Sequence, residues 1–407
     1  MKRMSRRRPR LRSGHSLELL EGSRALFPAL VTAMDAAQHV VRLETYIFDF
    51  TGAGAEVAQA LLRAAQRGVQ TCVVVDGLGT DKLPPQWAER FAAAGVQWRV
   101  YSPVNMLVLL LPTRWRRLHR KLCVVDGTVA FCGGINILDD FHDPHFGALD
   151  APRFDFAVRI TGPIVAHIDT TMQVLWRRLQ AVRDLRQHKL KKAVQTFLSA
   201  RSRSVPTPET IAIDKGFTSA ALVLRDNLRS RTRIEHTYLR AINAARHEII
   251  IANAYFVPGF RLRQALVAAA ERGVRVQLLL QGKYEYFMQY YAARPVYGVL
   301  LGAGVEIHEY APSFLHAKVA VVDGRWATVG SSNLDPLSLL LAREANVVVE
   351  DVAFAATLRE RLLGGMEEGG QAMDPTAYAR RSLRQRGLEY VAMLVMRLAL
   401  LVTGKRY

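Results

Sequence analysis

The sequence predicts an α/β protein of two similar lobes, each a mixed β-sheet flanked by helices. Three observations predict it. "LHRKLCVVDG" at 118–127 returns as "LHAKVAVVDG" at 315–324, 197 residues later. The flanking blocks repeat in the same order. Within each block an Ala/Leu-rich helical stretch closes at Gly and gives way to a short β-branched run.

Residues 1–14 open the chain as a basic tail, with seven Lys or Arg in "MKRMSRRRPRLR". The tail reads either as a disordered segment or as a tether to anionic lipid, worth up to ~1 kcal/mol per basic residue. No apolar run follows it, so a secretory leader is not expected. The first lobe is placed at 15–200, a Ser/Pro/Arg-rich linker at 201–215 and the second lobe at 216–370. "VTAMDAAQHVVRLETYIF" and "LRAINAARHEIIIANAYF" supply the first helix-to-strand passage of each lobe. "AAQRGVQTCVVVDG" and "AAERGVRVQLLLQG" follow, then "AAGVQWRVYSP" and "GAGVEIHEYAP". "DFAVRI" (155–160) parallels "EANVVV" (344–349), each opening on a carboxylate. Residues 371–407 form an apolar and basic C-terminal helix. Its run "YVAMLVMRLALLVTG" falls short of the ~20 residues that span a bilayer, so it packs on the core or lies in an interface.

Half of the 407 residues are apolar, enough for sizeable cores. A formal charge of +19 asks for an anionic partner: nucleic acid, acidic phospholipid or a phosphorylated substrate. Cys72, Cys123 and Cys132 cannot all pair and lack metal-ligand spacing, which suits a reducing compartment.

The repeated triplets carry the chemistry. His119, Lys121 and Asp126 recur as His316, Lys318 and Asp323. Each copy reaches a small-residue turn, Gly133–Gly134 or Gly330–Ser331, and then Asn136 or Asn333. Extended backbone puts His119 and Lys121 on one face, with Asp126 away at the strand end. The aspartates of the triplets are therefore assigned mainly to structure. Two His–Lys pairs suit phosphodiester transfer by a covalent route. One neutral imidazole attacks phosphorus, and the other, protonated, donates to the departing alkoxide. The ammonium groups, Asn amides and turn N–H groups hold the non-bridging oxygens, so neither metal nor cofactor is expected. A nucleophilic His needs an acceptor at its other ring nitrogen, and Asp155 and Glu344 are the candidates.

On these residues the sequence resembles the phospholipase D superfamily, with its paired HxKxxxxD motif and following Gly-rich turn. Within it, the sequence looks similar to bacterial cardiolipin synthases of the short class that lacks N-terminal membrane helices. "LETYIF", "FCGGINI", "GPIV", "IIIANAYFVPG" and "WATVGSSNLDPLSLLLAREANVVV" carry that likeness over roughly residues 15–365. The resemblance implies a site at the lobe interface and a phosphatidyl-histidine intermediate. One phosphatidylglycerol loses glycerol, and a second leaves as cardiolipin. It also favours His119 as nucleophile, although both histidines occupy equivalent frames.

The chain departs from its own symmetry at Glu44, where the second half has Asn253. The run "NMLVLLLPTRWRRLHRK" (105–121) leads into the first His. It reads either as a buried strand or as an apolar lip with Leu109, Leu110, Trp115 and Arg116 at headgroup depth. "KYEYFMQYYAARPVY" (283–297) lines an acyl groove or belongs to the core. The expected setting is peripheral, on the anionic cytoplasmic face of the cell membrane. Three alternatives stay open: a nuclease or phosphodiesterase acting on nucleic acid, phosphatidyl transfer to another alcohol, and a non-enzymatic scaffold. Sparse aromatic–basic interleaving disfavours nucleic acid.

Overall fold

The computed structural model describes residues 9–80, 82–103, 116–144, 146–187, 195, 218–226, 230, 232–283, 287–335 and 342–402. The first lobe begins with β1 (Arg12–Glu21), α1 (Gly22–Ala36), β2 (Val40–Thr45), α2 (Gly52–Gln66) and β3 (Gln70–Asp76). α3 (Pro85–Ala94), β4 (Gln97–Tyr101), β5 (Arg117–Leu118), β6 (Lys121–Val125) and β7 (Val129–Gly133) follow. The small hairpin of β8 (His142–Asp143) and β9 (Gly147–Ala148), then β10 (Phe156–Thr161) and α4 (Ile164–Arg186), complete it.

The second lobe repeats the plan. Its front carries β11 (Thr218–Arg225), α5 (Arg233–Ala244), β12 (Glu248–Asn253), α6 (Phe260–Glu271) and β13 (Arg275–Gln281). α7 (Phe287–Gly302), β14 (Glu306–Tyr310), β15 (Lys318–Val322), β16 (Trp326–Gly330), β17 (Ala342–Glu350) and α8 (Val352–Gly369) follow. The stretch 371–407, expected as one C-terminal helix, instead continues β18 (Gly370–Ala372), forms the short α9 (Pro375–Ala379), and is helical as α10 over Leu383–Val402.

The repeat is visible in the helix ends. α2 buries Val57, Ala58, Leu61, Leu62 and Ala65, and α6 buries Leu262, Ala265, Leu266 and Ala269, an apolar stripe at helical spacing. Each ends in a Schellman turn on Gly68 or Gly273, both at positive φ. The following Val69 and Val274 donate back to Ala64 and Ala269 carbonyls, and the next strand starts there.

The sheets share one strand order. Seven strands run β4-β3-β2-β6-β7-β10-β1 in the first lobe, and β14-β13-β12-β15-β16-β17-β11 in the second. β2, β3 and β4 pair in parallel, as do β12, β13 and β14; the other pairs on this path are antiparallel. β1 meets β11 at Arg12↔Ala220 and His15↔Thr218, so the two sheets join edge to edge across a register shift. The joined sheet folds on itself. One core cluster mixes Leu122, Val124 and Val158 with Ile250, Val319 and Val347, under α4 and α8. The outer faces bury separate cores beneath α1–α3 and beneath α5–α7. Each Val or Ile so buried contributes ~1.5–3 kcal/mol.

The β6–β7 and β15–β16 hairpins turn on Asp126–Gly127 and Asp323–Gly324, all four residues at positive φ, as type I′ turns require. The Asp126 carboxylate accepts from the N–H groups of Gln38, His39 and Val40 at 2.7–2.8 Å. Asp323 does the same for Arg246, His247 and Glu248. These aspartates therefore pin each hairpin to the start of its neighbouring strand. Each aspartate follows the last residue of a five-residue strand that begins at its Lys, so about 16 Å lies between it and the His–Lys end of the motif.

Candidate active site at the lobe interface

His119 and His316 lie just before β6 and β15, where each chain crosses toward the other lobe. His119 N–H donates to the Arg343 carbonyl of β17 at 3.1 Å. His316 N–H donates to Phe154, which itself donates back to Phe314. β5 pairs in parallel with the start of β17. Backbone hydrogen bonds between the lobes thus fix both imidazoles before any side chain acts.

The carboxylate partners are exchanged between lobes. His119 Nδ1 lies 3.1 Å and 3.2 Å from the two oxygens of Glu344. His316 Nδ1 lies 2.6 Å from Asp155 Oδ2. Each imidazole is therefore oriented by the half to which it does not belong. The rings keep a small opening, with side-chain exposures of 16% and 21%, while the carboxylates are within 2% of complete burial.

The turn residues explain why one lobe uses Asp and the other Glu. A Cβ on Gly134 would overlap the Asp155 carboxylate, so a short acid packs against a bare backbone. At the matching place Ser331 donates its hydroxyl to Glu344 Oε2 at 2.6 Å, and Ala345 N–H donates to the same hydroxyl. Gly133 and Gly330 likewise admit Ala157 and Asn346 at distances that any Cβ would prevent.

Both ammonium groups fold back on their own motif. Lys121 Nζ donates to the His119 carbonyl at 2.8 Å, and Lys318 Nζ donates to that of His316. Burial lowers Lys121 to about 7, helped by Lys318 and opposed by Glu344. Burial also lowers His119, against the pull of Glu344, and it lowers His316 well below the ordinary imidazole range, with Lys318, Lys121 and His119 adding to it. Asp155 is raised to about 7 by burial, despite Lys318 and its Phe156 N–H bond. Glu344 goes the other way: burial raises it, but His119, Lys121 and Ser331 together hold it below its usual value. Charges of one lobe act on groups of the other throughout, so the two His–Lys pairs share one site.

Asn136 Oδ1 accepts from Ile47 N–H at 3.2 Å, and Asn333 is buried at the equivalent turn. Leu109, Leu110 and Trp115 lie outside the described residues, and Arg116 is half-buried three residues before His119. Among the described residues no group of three or more His, Cys, Asp or Glu side chains could hold a metal ion.

Three contributors escape a reading by motif. The Tyr46 ring centroid lies 5.1 Å from that of His119, with Lys121 Nζ 5.6 Å from the same ring. Its repeat partner Tyr255 offered the signal, inside the matched "ETYIF" and "NAYFV". Asp76 Oδ2 accepts from Leu118 N–H at 2.7 Å, anchoring the approach to His119. Arg120 and Glu44 form a buried bidentate pair where the second lobe has Ala317 and Asn253. The Glu44 asymmetry is thus a structural compensation for Arg120.

The sequence matches the family described as "Cardiolipin synthase, PLD-like domain" over residues 30–143 and 238–363. It is 39% identical to cardiolipin synthase B of Escherichia coli K12 over 372 residues, 91% of this chain and 85% of that protein. It is 29% identical to cardiolipin synthase A of Cronobacter sakazakii over 351 residues, 85% of this chain and 68% of the relative. The fold resembles the crystal structure of phosphatidylserine synthase from Haemophilus influenzae Rd KW20. That likeness has a TM-score of 0.71 at 12% identity, covering 98% of this chain and 96% of the other.

Proposed function

The chain belongs to the phospholipase D-like cardiolipin synthases and is an enzyme of phosphatidyl transfer, and from that premise we propose that His119 and His316 divide the transfer between them. His119 donates Nδ1–H to an ionised Glu344, which leaves the Nε2 lone pair for attack on the phosphorus of a first phosphatidylglycerol. The P–O bond to the headgroup breaks, and His316 gives a proton to the departing glycerol oxygen. The covalent adduct is a cationic imidazolium, which the buried Glu344 stabilises. The Asp155–His316 pair suits the acid role, because an Asp raised to about 7 keeps a proton on the pair near neutrality.

His316 then takes the proton of the acceptor hydroxyl on a second phosphatidylglycerol. That oxygen attacks phosphorus, the N–P bond breaks, and cardiolipin leaves. Each Lys donates to the carbonyl of its own His, which holds both ammonium charges beside the imidazoles, where they stabilise the non-bridging oxygens. The Asn136 carbonyl is already engaged, which presents its NH₂ group as a further donor.

The substrate is lipid, and α10 supports contact with an anionic membrane surface. No helix among the described residues is long and apolar enough to cross a membrane. Leu383, Leu388, Tyr390, Val391, Leu394 and Val395 of α10 are nonetheless exposed, beside exposed Arg384 and Arg386. Apolar and basic side chains side by side are what an interfacial helix presents. The three cysteines are buried free thiols, in keeping with the cytoplasmic face.

The single observation that carries the mechanism is the crossed pairing of His119 with Glu344 and of His316 with Asp155. Its test uses phosphatidylglycerol vesicles in excess chelator. Cardiolipin and glycerol should form in equal amounts, and His119→Ala or His316→Ala should each abolish cardiolipin formation. Near-normal turnover after either change removes that His from the scheme, and cleavage of DNA in place of lipid exchange replaces the substrate class.

A further inference from the structure

A cavity of about 280 Å³ opens at the seam of the two lobes, between α4 and α5, over the β1–β11 junction. Its floor is apolar, Ala220 to Val223 of β11. Its walls carry Arg10, Arg12, His167, Arg233, His236 and Arg240, and no carboxylate lines it among the described residues. Arg233 Nε is buried with no hydrogen-bond partner. Arg12 and Arg233, gathered in a concave, partly dry space, repel one another unless an anion joins them.

The cavity is separate from the catalytic centre. Asp155 immediately precedes β10, and α4, which carries His167, begins just beyond the other end of that strand. Six residues at ~3.3 Å each put about 20 Å between the two. None of the groups that hold His119 or His316 lines the cavity.

We infer that this seam cavity is a second binding site for a phosphate group, formed only when both lobes are docked. Its size fits one phosphate with a small polar substituent, and two acyl chains would not fit. Arg is the residue type that holds phosphate oxygens in a fork. Wall residues come from the first lobe (Arg10, Arg12, His167) and the second (Arg233, His236, Arg240), so a bound anion bridges the lobes across β1 and β11. His167 agrees with the arrangement: burial lowers its affinity for a proton, and Arg12 and Arg233 lower it further. The same phosphate chemistry is offered by a soluble phosphate and by the headgroup of an anionic phospholipid.

The test compares the full chain with Arg12→Gln/Arg233→Gln, using inorganic phosphate against chloride at constant ionic strength. Calorimetry should count one phosphate site fewer in the variant. Phosphate should raise the melting temperature of the parent more than that of the variant, and in chloride alone the variant should melt no lower. If it does not fold, Arg240→Gln and His236→Gln are read in the same way. Sedimentation with phosphatidylglycerol/phosphatidylcholine vesicles separates the sources. For a lipid headgroup, the variant loses vesicle affinity by about 25-fold, roughly fivefold per cation; for a soluble phosphate, vesicle binding is unchanged. An unaltered phosphate stoichiometry and melting shift in the variants overturns the inference, whatever the vesicles do.

Discussion

Replacing Glu344 by Gln removes one charge and almost no volume, which makes it the sharpest probe of the crossed pairing. The carboxylate is 0% exposed, accepts from Ser331 at 2.6 Å and faces His119 Nδ1 at 3.1–3.2 Å. A cationic phosphohistidine centred about 4 Å from that charge gains about 4 kcal/mol at an effective dielectric of 20. Loss of that interaction slows intermediate formation by about 10³-fold. The amide has a second effect, since its NH₂ group competes for Ser331 or opposes Nδ1–H, favouring the tautomer whose proton blocks Nε2. Rapid-quench release of radiolabelled glycerol from phosphatidylglycerol measures this step directly. Glu344→Gln should lose its glycerol burst while melting as a folded protein and binding vesicles normally. A variant within about tenfold of the parent rate would refute the role given to Glu344.

Three further outcomes follow from the same geometry. Arg120→Ala leaves Glu44 buried and unpaired, and should cost about 3–5 kcal/mol in denaturant unfolding; adding Glu44→Asn, which recreates the Ala317/Asn253 arrangement of the other lobe, should recover most of it. Asp126→Ala should cost about 2 kcal/mol through three lost N–H acceptances and a left-handed backbone, with turnover at low temperature little changed. Stability should also pass through a minimum near neutral pH. Asp155, raised to about 7, contributes stability below its unfolded pKa near ~4 that is lost as pH rises through 7. Lys121, lowered to about 7, contributes stability above its unfolded pKa near ~10.4 that is lost as pH falls through 7. Melting curves from pH 4 to 10 should lose the acid limb in Asp155→Asn and the alkaline limb in Lys121→Met.

Much of this architecture is legible in the sequence because a duplication prints each constraint twice. The Gly after α2 and α6, the Asp–Gly turns and the His–Lys spacing each mark a local requirement of backbone or chemistry, and local requirements repeat. What depends on the meeting of the two halves does not repeat. Asp155 and Glu344 stand at matching places, yet nothing local says that each serves the opposite lobe's histidine. The swap follows from β1 and β11 joining the sheets, which brings β7 against β17 and β10 against β16. Arg120 with Glu44 is similarly hidden, because a compensating pair is invisible until its members are seen in contact. The aspartates of the motif were legible as strand-end residues, and their turn and anchoring roles follow from φ and from three N–H donors each.

The central claim, that both lobes act on one phosphorus atom, is tested most directly by trapping the covalent adduct. His316→Asn, which lacks the acid for the departing glycerol and the base for the acceptor, should form it slowly with phosphatidylglycerol and release it more slowly still. Mass spectrometry of the digested protein should then find phosphatidyl on the peptide carrying His119, and none in His119→Asn. An adduct on His316 would reverse the assignment of roles. Undiminished cardiolipin synthesis by either variant would contradict a site shared between the lobes.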